Sequence, residues 1–263
     1  MADEPSDEVV VDRSGAVLTV RINRPEARNA MNVAVMAGIG GGLLEAEGDE
    51  QVRAVVLTGT GDRAFCAGMD LRAFADGDMT HGDGQKAEME GFATFIRCGL
   101  TTPVIGAANA SAVAGGFELL MACDLIVASD EARFGIPEAK RGLFAAGGGV
   151  FLPRRIPLAI ALELGMTGDM IDAGRAAGLG LVNRVVPPGE VLRTAVELAE
   201  RIAANGPLGV RATRTLMRAA ASMTDEEVWA LQSEIQPGVF GSEDAKEGSR
   251  AFIEKRAPAW KGR

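Results

Sequence analysis

Three continuous apolar runs in the middle of the chain most constrain how it can fold. They read VRAVVLTGTG (residues 52–61), PVIGAANA (103–110) and DLIVAS (124–129), and each is followed by a stretch of helical character. Strands that are apolar on both faces are typical of parallel sheets covered by helices on either side. The repetition predicts an α/β fold built from strand–helix–strand units.

The two ends of the chain differ from this middle part. The stretch EVVVDRSGAVLTVRI (8–22) predicts a β-hairpin that turns at Ser14-Gly15. The loop NRPEARNAM follows, with Asn29 as a candidate helix N-cap, and then a helix from Asn32 to Glu47. The polar, glycine-containing stretch 75–88 is a candidate disordered segment.

After Gly189 the pattern becomes helical throughout. Four helical segments are predicted with no strand between them, at about residues 190–204, 207–222, 224–235 and 242–255. We therefore predict a core with the functional site in residues 1–189 and a helical C-terminal region in residues 190–263.

Composition and charge exclude several classes of protein. The formal net charge of −9 disfavours a nucleic-acid-binding protein, which needs a basic surface. The apolar stretch 104–128 could span a bilayer by length, but it contains Glu118 and Asp124, so we expect no membrane span. The three cysteines lack paired spacing, and the acidic N-terminus does not resemble a signal peptide. We expect a soluble protein in a reducing compartment, the cytoplasm.

The stretch SAVAGGFELLMACD (111–124) places a single carboxylate, Glu118, among small and apolar residues. Burying a carboxylate costs free energy unless a partner or a function compensates. Gly115-Gly116 predict a helix start, where backbone N–H groups lack partners and the helix dipole favours negative charge. The N–H of Gly115 is thus a candidate oxyanion donor, and the turn AFCAGMDL (64–71) offers a second donor near Met69.

A second carboxylate, Glu138, lies in ARFGIPEAKRGLFAAGGG (132–149), before a glycine run that predicts another helix start. Two carboxylates in unlike environments can divide the roles of general acid and general base. A structural alternative remains open, in which Arg97 or Arg133 pairs with Glu118.

Other candidate sites are weaker. His81 is the only histidine, and without a GxSxG motif a Ser-His-Asp hydrolase is not expected. Asp76, Asp78 and Asp83 lack EF-hand spacing, so no metal site is predicted. Cys66 has no histidine near it in the sequence, which favours a packing role.

The motifs NRPEARNAM, AFCAGMDL, GGFELLMACDLIVASDEARFGIPE and GLVNRVV, taken together with the GGG run, resemble the crotonase superfamily, also called the enoyl-CoA hydratase/isomerase family. The resemblance extends in order from about residue 9 to residue 255. It implies a fold of repeated ββα units with a helical C-terminal trimerisation region. It also implies an acyl-CoA thioester substrate, no separate cofactor because coenzyme A is part of that substrate, and a homotrimer or a hexamer.

The resemblance also implies roles for individual residues. The N–H groups of Met69 and Gly115 would form the oxyanion hole, Glu118 would be the base, and Glu138 the acid. Members that only isomerise double bonds generally keep a single acid, so the pair favours hydration of an enoyl-CoA in fatty-acid or related degradation. The N–H of Ala146 would position the water, although the loop reads AAGGG where hydratases usually have PGAGG.

Six residues are expected to bind coenzyme A by the same likeness. Arg28 and Arg72 are candidate phosphate partners, with solvated surface charges as the alternative. The backbone of Ala67 and Asp70 would cradle the adenine and pantetheine. Phe252 and Lys255 resemble C-terminal residues that reach the nucleotide bound to a neighbouring subunit.

Three alternative functions remain open at this stage. The C-terminal stretch and GGFEL also resemble the carnitinyl-CoA dehydratase branch, which uses the same two-glutamate chemistry on a cationic substrate. Double-bond isomerisation is a second alternative. A protein that binds acyl-CoA without turnover is the third, although such a protein has no need of two carboxylates that are costly to keep.

Overall fold

The structure is a computed structural model that describes residues 7–80 and 82–263. Its strands are Val9–Ser14 (β1), Val17–Ile22 (β2), Ala54–Gly59 (β3), Val104–Ala108 (β4), Ala112–Val113 (β5), Leu125–Ser129 (β6), Arg133–Gly135 (β7), Ile171–Asp172 (β8) and Arg184–Val186 (β9). Its α-helices are Val33–Gly48 (α1), Leu71–Asp76 (α2), Lys86–Ile96 (α3), Gly115–Ala122 (α4), Leu158–Thr167 (α5), Ala173–Gly178 (α6), Val191–Ala203 (α7), Pro207–Ala220 (α8), Asp225–Phe240 (α9) and Glu243–Glu254 (α10).

A six-stranded sheet forms the centre of the molecule, in the order β1-β2-β3-β4-β6-β9. The hairpin strands β1 and β2 are antiparallel, and every other neighbouring pair in this sheet is parallel. Strands β5, β7 and β8 form a small second sheet. The predicted hairpin and parallel sheet are both confirmed, and the three apolar runs are the adjacent strands β3, β4 and β6.

Each face of the central sheet has its own hydrophobic layer. In β3, Val55 and Leu57 pack in the layer that contains residues of α1, α3 and α4. The alternate residues Ala54 and Val56 pack with one face of α7. Because successive side chains of a strand point to opposite faces, a strand covered on both sides must be apolar throughout.

The predicted C-terminal helices are confirmed as α7 to α10, with α9 continuing past the predicted residue 235 to Phe240. Helix α7 covers the sheet through Val191, Ala195 and Ala199, so it packs with the core rather than away from it. The division of the chain at residue 190 stays a prediction.

The candidate disordered stretch 75–88 carries helix at both ends, because α2 extends to Asp76 and α3 begins at Lys86. His81 lies outside the described residues. Within the ranges described, no helix is both long and apolar enough to cross a membrane.

Candidate active site

Two loops meet where β3 and β4 end. The N–H of Phe65 donates to the carbonyl of Ser111 at 2.9 Å, and the N–H of Val113 donates to the carbonyl of Cys66 at 3.1 Å. Neighbouring parallel strands end at the same edge of a sheet, where α/β proteins generally place their sites. These bonds bring the loop that carries Met69 against the start of α4.

The N–H groups of Met69 and Gly115 lie side by side, and neither has an acceptor among the residues that the structure describes. Met31 bonds to the backbone on either side of Met69, with 2.8 Å to the carbonyl of Gly68 and 2.8 Å from the N–H of Asp70. The N–H of Met69 therefore points away from this pairing. Gly115 is the first residue of α4, whose N–H has no partner within the helix. A Cβ placed on Gly115 would stand 3.7 Å from the nitrogen of Met69.

Ala114 directs the N–H of Gly115 through an unusual backbone conformation. Its φ of 53° and ψ of −129° lie in a region that side-chain-bearing residues rarely adopt. Three hydrogen bonds hold it there: its N–H donates to Gly135, and its carbonyl accepts from Phe117 and Glu118. Such strain persists only where the surroundings impose it, and it concentrates at functional sites.

Glu118 is buried in the first turn of α4, with 6% of its surface exposed. Its Oε1 accepts a hydrogen bond from the N–H of Gly149 at 2.7 Å. Burial raises the pKa of this carboxyl, the Gly149 N–H opposes that shift, and the charge of Glu138 adds to it. The alternative in which Arg97 or Arg133 pairs with Glu118 is wrong, because in the described part of the chain a backbone N–H takes that place.

Glu138 lies on the 3-10 turn Pro137–Arg141 that follows β7. Burial raises the pKa of its carboxyl, and the nearby charge of Arg141 lowers it. Its Oε2 is buried and has no hydrogen-bond partner among the described residues. The charge of Glu138 acts on Glu118, so the two carboxylates lie close enough to interact. Their hydrogen bonding differs: backbone N–H groups donate to Glu118, whereas Oε2 of Glu138 has no partner in the described residues.

Four of the predicted coenzyme A residues surround Met69 in the same loop region. The carbonyl of Arg28 accepts from the N–H of Ala67 at 3.1 Å, and the side chain of Arg28 is exposed. Asp70 caps α2 by accepting from the N–H of Arg72, whose side chain is also exposed. Asp70 further pairs with Arg24 at 3.1 Å, and its pKa is lowered despite partial burial.

The other predicted site residues lie on α10 and in the loop next to Glu118. Phe252 and Lys255 lie on α10 and at its C-cap, and both are exposed. Within the described part of one chain, no hydrogen bond links either residue to the loops around Met69. Ala146 is exposed and directly precedes Gly147, whose backbone N–H acts on the carboxylate of Glu118.

Two contributions were missed from the sequence. Asn29 is not the cap of α1, because the cap is Asn32, which accepts from the N–H of Val35. Asn29 is instead buried, and its amide donates to the carbonyls of Thr60 and Ala64 at 3.0 and 2.8 Å. It thereby ties the loop after β2 to the Met69 loop. The second is Gly149, whose N–H donates to Glu118. In the sequence only the glycine run around it indicated a special backbone at this position.

Cys66 takes no part as a nucleophile. Its thiol is fully buried against the Gly68 turn, and burial raises its pKa to about 12. A thiol of this kind stays protonated near neutral pH, which agrees with the packing role predicted for it.

The site thus combines a buried carboxylate, Glu118, and a half-buried one, Glu138, with the N–H groups of Met69 and Gly115, for which the described residues show no acceptor. Groups of this kind can polarise a carbonyl and move protons next to it. The model of the enoyl-CoA hydratase/isomerase family matches residues 12–263. The chain belongs to this family and has the crotonase fold.

Known relatives agree with that assignment. The enoyl-CoA hydratase EchA19 of Mycobacterium tuberculosis is 41% identical over 264 residues, which cover 99% of this chain and 98% of that protein. The carnitinyl-CoA dehydratase of Proteus mirabilis is also 41% identical, over 95% of this chain and 96% of the relative. A crystal structure of an enoyl-CoA hydratase from M. tuberculosis H37Rv superposes with a TM-score of 0.90 at 46% identity, covering 98% of this chain and 100% of that one.

Proposed function

We propose that the protein is an enoyl-CoA hydratase that adds water, reversibly and syn, across the 2,3 double bond of an enoyl-CoA thioester. The product is a 3-hydroxyacyl-CoA, formed in the degradation of fatty acids or related acyl groups. One observation carries the proposal: Glu118 feels the charge of Glu138 and lies in the first turn of α4, at whose start the N–H groups of Gly115 and Met69 have no acceptor among the described residues. The hydratase relatives support it.

The reaction follows from where charge develops. The N–H groups of Met69 and Gly115 would hold the thioester oxygen and draw electron density from the conjugated double bond, so C3 becomes electrophilic. Glu118 would take a proton from water as its oxygen bonds to C3. Glu138 would give a proton to C2 as the enolate collapses. In the reverse direction the same residues would remove water from the 3-hydroxyacyl thioester.

The hydrogen bonding and burial of the two carboxylates favour this division of roles. The N–H of Gly149 stabilises the ionised form of Glu118, which a base needs. The Oε2 of Glu138 is buried and has no partner among the described residues, which disfavours the ionised form, and an acid must hold its proton. In this proposal the N–H of Ala146, at the edge of the same loop, would help to position the water.

Binding of coenzyme A is proposed for the surface around Met69. Arg28 and Arg72 are exposed there and would pair with phosphates. Ala67 and Asp70 would shape the loop that receives pantetheine and adenine. Phe252 and Lys255 would act from a neighbouring copy. The reaction as written needs no separate cofactor, since coenzyme A is part of the substrate.

We further propose that the chain forms a homotrimer or a hexamer in the cytoplasm. Helix α9 has no buried residue and exposes Trp229 and Phe240, while α10 exposes Phe252 and Ile253. Large apolar side chains grouped on unburied helices favour self-association. Light scattering coupled to size-exclusion chromatography would measure the mass, and a monomer would contradict this proposal.

A second candidate function is carnitinyl-CoA dehydration, favoured by the carnitinyl-CoA dehydratase relative at 41% identity. The same carboxylates would then act on a substrate with a cationic end. Isomerisation would incorporate no oxygen from water into the product. An experiment in isotopically labelled water therefore distinguishes it from hydration and from the reversible dehydration of carnitinyl-CoA.

The experiment that tests the proposal follows the loss of enoyl-thioester absorbance over a panel of enoyl-CoAs. Glu118→Gln and Glu138→Gln are each expected to lower the rate by about 10²–10⁴, the usual value of a general acid or base. Glu163→Gln, on the exposed face of α5, is the matched control and should leave the rate unchanged. Turnover that survives in both glutamine variants would contradict the assignment, and binding without turnover would favour an acyl-CoA-binding protein.

A further inference from the structure

A cavity of about 1500 Å³ lies between the C-terminal half of α4, helix α8 and the C-terminal segment near Trp260. Glu118 and Gly147 line one part of it, whereas Met69 and Gly115 do not. The cavity therefore begins at the proposed base, on the side away from the two free N–H groups. If the thioester oxygen is held at those N–H groups, as the proposed function requires, an acyl chain extends past Glu118 into this space.

Three arginines surround the C-terminal end of α4 within this cavity. Arg214 and Arg218 both pair with Asp124, at 2.8 and 2.6 Å. Arg155 donates instead to the backbone carbonyls of Met121 and Cys123, at 2.9 and 3.4 Å. The helix terminus contributes only about half a negative charge. One carboxylate and one helix end thus face three guanidinium groups at this end of the cavity. Other parts of the lining add Arg97, Arg154, Glu118 and Asp244, so five arginines and three carboxylates leave an excess of positive charge.

Arg155 is the least compensated of the three. It is half-buried, and no carboxylate pairs with it anywhere in the described ranges. Burial and the neighbouring charge of Arg218 lower its pKa, and the charge of Asp124 opposes this shift without reversing it. Arginine nonetheless stays charged in proteins, so its remaining donors are available to an anion.

We propose that this cavity selects acyl groups that carry a carboxylate at the end remote from the thioester, with Arg155 as the group that binds it. The carbonyls that hold Arg155 lie three to five residues beyond Glu118 on α4 and its C-cap, which is roughly 5–8 Å along the helix axis. The substrate class is therefore a chain of medium length with an anionic end. A substrate that ends in a quaternary ammonium group would meet like charge, which disfavours the carnitinyl alternative.

The test compares three enoyl-CoAs of equal chain length that end in a methyl, a carboxylate or a trimethylammonium group. We expect kcat/KM to be about tenfold higher or more for the carboxylate than for the methyl compound, since a hydrogen bond to a charged group usually contributes on this scale. The trimethylammonium compound should be the poorest. Arg155→Met should abolish the preference for the carboxylate, and Arg155→Lys should keep part of it.

Controls separate binding from folding and from assembly. Arg201→Met removes the same charge from an exposed position on α7 outside the cavity and should keep the preference. Melting temperatures and the mass in solution are measured for every variant. A change in mass without a change in preference would mean that a second copy of the chain occupies the cavity, which overturns the proposal.

The inference can fail independently of the proposed function. Hydration of the methyl and carboxylate compounds at equal rates would overturn the inference and leave the hydratase intact. If no compound is turned over, the affinities of the three saturated acyl-CoAs, measured by calorimetry, decide instead. Tighter binding of the carboxylate compound, lost in Arg155→Met, would still support the site, and equal affinities would overturn it.

Discussion

A Cβ on Gly147 would stand 2.5 Å from Oε2 of Glu118, while the N–H of Gly149 donates to the other oxygen of the same carboxylate at 2.7 Å. One short loop thus forms the wall against which Glu118 rests and supplies a donor that orients it. The position of the proposed base depends on this loop as much as on its own helix.

Gly147→Ala should lower kcat by about 10²-fold, because the added methyl group must displace the carboxylate, and misplacement by about 1 Å costs roughly that much. Steady-state kinetics on the best enoyl-CoA measures the effect. Gly178→Ala is the control, since a Cβ there meets nothing within 4 Å. Equal activity in the two variants would show that Glu118 is not held in place by the loop.

Gly68→Ala should lower kcat by about 10²–10³-fold, the usual cost of losing one oxyanion-hole donor. Its Cβ would lie 3.2 Å from the nitrogen of Gly115 and 2.9 Å from the Cβ of Ala114, so the two loops must separate. Gly68 also has a φ of +95°, which penalises any side chain. Gly77→Ala is the matched control, because its φ is +78° and the space around it is open. Comparable losses in both variants would attribute the effect to backbone strain alone.

The pH profile of kcat/KM should be bell-shaped, with both limbs displaced upward from ordinary glutamate values. Burial raises the pKa of Glu118 and of Glu138; the base must be ionised and the acid protonated. Arg141 lowers the pKa of Glu138, so Arg141→Met should move the alkaline limb to higher pH. Lys140→Met, which loses only an exposed pair with Asp169, should leave the profile unchanged. An alkaline limb that does not move in Arg141→Met would argue against Glu138 as the acid.

Glu138→Gln should stabilise the protein at neutral pH while it lowers activity. Because burial raises the pKa of this carboxyl, the folded state binds the proton more tightly than the unfolded state. The free energy of unfolding therefore falls as pH rises from the ordinary range of glutamate through the raised pKa. Glutamine has no such ionisation, so the variant keeps the free energy of unfolding that the wild type loses. Urea unfolding should show a more stable variant at pH 7 and a smaller difference in the free energy of unfolding near pH 4. A less stable variant at pH 7 would contradict the sign.

Asp124→Asn should lower the free energy of unfolding by about 3 kcal/mol, since it leaves two largely buried guanidinium groups without their charge partner. Arg214, with 8% of its side chain exposed, should contribute most of this loss, because its charge is the more buried of the two. Urea unfolding measures the change. Asp169→Asn breaks a solvent-exposed pair with Lys140 and should have little effect. If both substitutions cost the same, the charge network does not hold α8 on the core.

The sequence by itself determined the parallel sheet, the hairpin, the helical C-terminus and the placement of Glu118 in the first turn of a helix. Each of these is written in a local pattern: a continuous apolar run, Ser14-Gly15, helical periodicity, or Gly-Gly before an acidic residue. The resemblance to a known family added the pairing of Glu118 with Glu138, which spacing alone left open.

Only the tertiary structure decided how distant segments meet. The approach of Met69 to Gly115 depends on backbone hydrogen bonds between two loops, and any sequence can supply those N–H and carbonyl groups. For the same reason the sequence does not identify Gly149 as the donor to Glu118, and it predicts a helix cap at Asn29, which in the structure ties two loops together. The sequence also did not predict that α7 packs on the sheet. The pattern of an amphipathic helix predicts an apolar face but not the surface that this face covers.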